Sequence, residues 1–135
     1  MINRYLRNLD AFITAVAVVA EVKVIRRDIR DTGLEKIALY RYRLKLKDAS
    51  ILELTERLVE EQGQLSVTKY RFHWQTETGK LIKRWDNAPH HPEIATFPDH
   101  LHDGRENNVI SFKRISGLDI LTGIIEKIKP VKTEK

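Results

Sequence analysis

The hydrophobic positions of the first segment repeat with a helical period. Leu6, Leu9, Ile13 and Val16 recur at steps of three and four, forming one apolar stripe that predicts a helix from Asn3 to about Val16. Past Val16 the chain becomes β-branched, with Val18, Val19, Val22, Val24 and Ile25, and this predicts a strand reaching about Arg30. Asp31-Thr32-Gly33 reads as a turn. In Ala38–Lys47, Ala38, Tyr40, Tyr42, Leu44 and Leu46 alternate with Arg41, Arg43, Lys45 and Lys47, the period-two signature of a half-buried strand.

Asp48-Ala49-Ser50 reads as a tight connection into a strand from Ile51 to Val59, with Leu52, Leu54, Glu56 and Leu58 on one face. The Glu and Leu content of that segment also suits a helix. After Gln62-Gly63-Gln64 the alternation resumes over Leu65–Gln75. Tyr70, Phe72 and Trp74 fall on one face there, and Lys69, Arg71 and His73 on the other. Thr76–Lys80 predicts a hairpin loop into a short strand, Leu81–Trp85. Residues 86–110 hold three of the four prolines and no periodicity, and read as one long ordered loop of the kind that carries function. A last helix is predicted from Ser116, its cap, to Lys129, with Leu118, Leu121, Ile124, Ile125 and Ile128 as its stripe. Pro130 would stop it, leaving residues 131–135 as a solvated, disordered tail. The expected fold class is α+β: an antiparallel sheet of about five strands in meander order, flanked by an N-terminal and a C-terminal helix.

Composition narrows this picture. The chain has 135 residues, 41% hydrophobic and 32% charged, which suits a single domain over 1–135 with a modest core. It contains no cysteine, so disulfides, thiolate-bound metals and thiol catalysis are excluded. The apolar run Ala15–Ala20 is far shorter than the roughly 20 residues a membrane span needs. Asp10, Glu21 and Lys23 argue against a secretory signal, so a soluble cytoplasmic protein is expected. The formal net charge of +5 favours a polyanionic partner, nucleic acid foremost.

Four of the five histidines, His90, His91, His100 and His102, lie within the thirteen residues 90–102, close to Arg84, Asp86, Asn87, Asp99 and Asp103. Imidazoles titrate near neutral pH, so a pair can take one proton and donate another in phosphodiester cleavage, with Arg84 steadying the charged phosphate. Alternatively, His90, His100 and His102 with an Asp could ligate Zn²⁺ or another divalent ion, although their spacing matches no zinc finger or His-Glu-x-x-His helix. The plain alternative is a loop whose histidines serve only as surface and hydrogen-bonding residues. A second constellation is basic. Arg41, Arg43, Lys45 and Lys47 with Lys69 and Arg71 would emerge on one side of a shared sheet and could track an RNA backbone. A solvated face neutralised by Glu53 and Glu61 is the competing account.

Three stretches go beyond generic patterning: Tyr70-Arg71-Phe72-His73-Trp74-Gln75, Arg84-Trp85-Asp86-Asn87-Ala88-Pro89-His90-His91, and Phe97-Pro98-Asp99-His100-Leu101-His102. Together they resemble the TumE-type toxin family. The resemblance implies a small toxin of a type II toxin–antitoxin pair, a helix-turn-helix antitoxin as cognate partner, and RNA as target. Glu56, His73, Arg84, Asp86, Asn87, His90, His91, His100 and His102 match family positions, whereas Asp99 stands where the family tends to have His. Asp99 would then be free to orient a neighbouring imidazole.

The leading expectation is therefore an RNA endonuclease that needs no cofactor. His91 and His100 would form the acid–base pair, Arg84 would hold the phosphate, and Asp86 would orient a histidine. A metal-dependent nuclease at the same loop and a non-enzymatic nucleic-acid- or protein-binding domain are the alternatives. No membrane partner is expected, and a homodimer stays open.

Overall fold

The computed structural model describes residues 1–128, in the order α1 (Ile2–Ala15), β1 (Val19–Asp31), β2 (Lys36–Leu46), β3 (Ile51–Glu61), β4 (Gln64–Gln75), β5 (Leu81–Asp86), β6 (His100–Asp103), β7 (Val109–Ser111) and α2 (Gly117–Ile128). The seven strands among the described residues form one antiparallel sheet in sequential order. The α+β class and the meander hold, but the expectation of about five strands is corrected to seven. The predicted loop over 86–110 contains β6 and the start of β7, so its long irregular stretch ends at Asp99 and only a short turn separates β6 from β7. The segment from Ile51 is a strand and not a helix, because its alternate leucines pair with the apolar face of β2: Leu52 lies opposite Leu44, and Leu54 opposite Tyr42. The predicted end of α2 at Lys129, the Pro130 stop and the tail 131–135 lie outside the described residues.

Alternation decides the two faces of the sheet. Tyr40, Tyr42, Leu44, Leu52, Leu54, Tyr70, Phe72 and Trp85 point to one side and pack under Leu6, Leu9 and Ile13 of α1 and Ile120, Leu121 and Ile124 of α2. The Ser116 hydroxyl accepts the Asp119 N–H, the predicted N-cap of α2. The β3–β4 connection is two residues, Gln62 and Gly63, both at positive φ, which matches the right-handed twist of the strands it joins. With both helices on one side, the other face of the sheet carries the charges. Among the described residues, no helix is long and apolar enough to cross a membrane.

Candidate active site

The register of β4, β5 and β6 sets polar side chains in two rows on the face away from the helices. Arg71 lies opposite Asp86, and Asp86 opposite His100; His73 lies opposite Arg84, and Arg84 opposite His102. The segment between β5 and β6 folds back over this face and brings the His91 ring to centroid distances of 5.1 Å from His100 and 6.0 Å from His102. One ligating atom from each of these three histidines lies within 4.8 Å of the others. The cleft has a volume of about 240 Å³, and its walls include Lys69, Arg71 and Arg84 as well as the cluster.

The tautomers follow from the hydrogen bonds. His100 Nδ1 is 2.8 Å from the Pro98 carbonyl and His102 Nδ1 is 2.8 Å from the Glu106 carbonyl. A carbonyl only accepts, so both Nδ1 atoms carry protons and both Nε2 atoms keep lone pairs when the rings are neutral. Those Nε2 atoms face each other at 3.1 Å, and the Asp86 carboxylate stands 3.1 Å from His100 Nε2 and 3.6 Å from His102 Nε2. Two lone pairs and a carboxylate converging inside the protein need a cation among them, either a proton or a metal ion. Burial holds the His102 imidazole below its ordinary 6.5, and Arg84 pushes in the same direction.

Asp86 and Asn87 also explain the local backbone. Asp86 Oδ1 accepts the Ala88 N–H, turning the chain out of β5. Asn87 accepts the Tyr70 N–H and donates to the Thr68 carbonyl, bonding β4 beside the irregularity in its pairing with β3. Asn87 is thus a backbone clamp, whereas Asp86 both turns the chain and faces the imidazoles.

Arg84 is already engaged. Its two Nη atoms bond the Glu106 carboxylate at 2.6 and 2.5 Å, and its Nε lies 3.4 Å from Asp86. The Arg84 pair holds the Glu106 carboxyl below its ordinary range. Glu106 was not apparent from the sequence alone. The available signal is the turn-rich run Asp103-Gly104-Arg105-Glu106-Asn107-Asn108 between two short alternating segments.

The other expected site residues divide by face. His73 is on the cluster's face beside Arg84 but hydrogen-bonds Gln75 at 3.0 Å, and burial followed by Arg71 lowers its pKa. His90 is exposed on the cleft wall and outside the three-histidine group; His91 takes the place expected for it among the candidate metal ligands. Glu56 is not brought to the site. It points under the helices, fully buried, and accepts the hydroxyls of Tyr5 and Tyr40. The expectation that Asp99 orients an imidazole is also corrected, because Asp99 accepts the Tyr70 hydroxyl at 2.7 Å and backbone carbonyls orient the rings. On the basic face Lys69 and Arg71 border the cleft, whereas Arg41 and Arg43 both bond Glu53. Lys45 and Lys47 are exposed farther along β2 and just past its end.

A family model described as Toxin TumE matches residues 10–129, which includes every element from the second half of α1 onward. The chain belongs to the TumE toxin family. Comparison with curated proteins and with solved structures finds no match.

Proposed function

We propose that this protein is a toxin that cleaves RNA at the His91–His100–His102–Asp86 cluster, held in check by a cognate antitoxin of the helix-turn-helix type. Family membership supports the toxin role and, with it, an antitoxin partner. The observation that carries the chemistry is the facing pair of Nε2 atoms at 3.1 Å beside Asp86. With one proton shared between them, the pair would supply an imidazolium, while His91, partly exposed at the cleft with its Nδ1 3.4 Å from Glu93, would act as the base. His91 would take the proton of a ribose 2′-hydroxyl as its oxygen attacks phosphorus. The shared proton would pass to the departing 5′-oxygen as the P–O5′ bond breaks, giving a 2′,3′-cyclic phosphate and a 5′-hydroxyl. Lys69 and Arg71 would hold neighbouring phosphates, and Arg84 the reacting one once it leaves Glu106.

A second reading places a divalent transition-metal ion at the same point, ligated by Nε2 of His100 and His102, by His91 and by an Asp86 oxygen. It is favoured by the Nδ1 bonds to backbone carbonyls, the outer support that metal-bound imidazoles usually have. One experiment separates the readings: labelled RNA is incubated with the protein, with and without EDTA, beside His91→Ala and His100→Ala. The metal-free reading expects cleavage that survives EDTA and falls by about 10²–10⁴-fold in either variant while thermal unfolding stays cooperative. Cleavage abolished by EDTA and restored by Zn²⁺ or Mn²⁺ assigns the centre to a metal. Absence of cleavage in all arms overturns both.

A further inference from the structure

The two edges of the sheet are unlike. β7 is three residues long, whereas β1 runs for 13 and is exposed at every position after Val19. Val22, Val24, Ile25 and Ile29 of β1 are between 43% and 57% exposed. A long edge carrying this much apolar surface is a template for another strand.

The β1 sequence says which strand. Its pairing with β2 slips at Ile25, since Val24 lies opposite Tyr42 but Arg26 opposite Arg41. The extra residue inverts the alternation beyond it. Val22 and Val24 therefore share the helix-side face with Arg27 and Ile29, while Glu21, Lys23, Arg26, Asp28 and Arg30 share the histidine-side face. Now let a second copy run antiparallel alongside, with a two-fold axis between Ile25 and Arg26. Glu21 then meets Arg30, Lys23 meets Asp28, Val22 meets Ile29 and Val24 meets Arg27, each pair on one face and each occurring twice. Strands opposed in this way must match faces, and in this register the central bulge is what makes both halves of β1 match. Arg26 and Arg27 find no acid across the axis, but each holds one in its own chain, Asp28 and Asp10, at 2.5 Å. A shorter pairing centred on Ile29 also matches charges but leaves Val22 and Val24 uncovered.

We infer that a second copy of this chain pairs β1 to β1 in the register centred between Ile25 and Arg26, joining two sheets into one. A two-fold axis normal to the sheet keeps both histidine faces on the same side. The two β2 strands then lie between the two clusters, their arginines paired with Glu53. The pairing itself does not depend on the cleavage reading, and its test measures no activity.

The chain has no cysteine, so introduced ones report cleanly. Val22→Cys/Ile29→Cys in the full chain should oxidise to a covalent dimer, because directly opposed residues have Cβ atoms roughly 5 Å apart. Neither single variant should cross-link, since the two copies of each position lie roughly 24 Å apart along the strands. Light scattering should give twice the chain mass. Lys23→Glu should raise the dimer dissociation constant about tenfold, and Lys23→Glu/Asp28→Lys should restore it. Three outcomes overturn the inference. A protein monomeric at all accessible concentrations excludes self-pairing and leaves the edge to a foreign strand. Cross-linking by Ile29→Cys alone assigns the competing register. A dimer that neither cross-links in the double variant nor responds to Lys23→Glu uses another surface.

Discussion

Arg84 and Glu106 form a two-pronged ion pair beside the histidines, with contacts at 2.6 and 2.5 Å, and Glu106 is itself largely exposed. A carboxylate held by both arms of a guanidinium occupies the position a phosphate would take. Removing its charge therefore frees Arg84 for substrate. Glu106→Gln is expected to bind a non-cleavable RNA oligonucleotide about three- to tenfold more tightly, measured by fluorescence anisotropy at fixed salt. Unchanged affinity would remove Arg84 from the phosphate site. Glu56 shows the opposite case, a matched family position whose work is internal. Burial raises its pKa, and two tyrosine hydroxyls satisfy its oxygens beneath the helices. Its company on an apolar face with Leu52, Leu54 and Leu58 was already legible in the alternation of β3. That the histidines lie on the other face was not, because this depends on the pairing of β5 with β6.

At the scale of elements, the long strands were legible and the short ones were not. β2 and β4 each span several alternations, so period two stands out over 11 and 12 residues. β6 has four residues and β7 three, too few to show a period, and they become strands through hydrogen bonds to β5 and to each other. Pairing also explains an electrostatic feature between β2 and β3. Burial raises the Glu53 pKa, yet hydrogen bonds from Arg41 and Arg43 outweigh it and hold the carboxyl below its ordinary 4.5. The unfolded chain thus binds this proton more tightly than the folded one. The resulting stability is fully present above about pH 4.5 and is lost as pH falls through the folded value. Glu53→Gln is expected to cost about 1 kcal/mol at neutral pH, a modest figure because both arginines are half exposed. In urea titrations that gap should close on acidification; a gap independent of pH would contradict the assignment.

For the whole molecule, the division of the sheet into a helix-covered face and a charged face is what a nucleic-acid reading needs. If RNA lies along the charged face, affinity falls with salt, by about 0.7 in the log–log slope for each phosphate contacted by a single strand. Lys69→Ala and Arg71→Ala, beside the cleft, should each flatten that slope by about this amount. Arg41→Ala should change it less, since Arg41 is already neutralised by Glu53. Equal effects from all three variants would mean the charges act diffusely rather than at a cleft. By itself the sequence determined the alternating strands, the capped helix at Ser116, the aromatic core face and the clustering of histidines, because each is written in residues near one another along the chain. Tertiary structure alone decided that His91 rather than His90 joins His100 and His102, that Glu106 engages Arg84, and that Glu56 stands apart. Those outcomes depend on hydrogen bonds between distant strands and on a loop folding back over them, which no local period encodes.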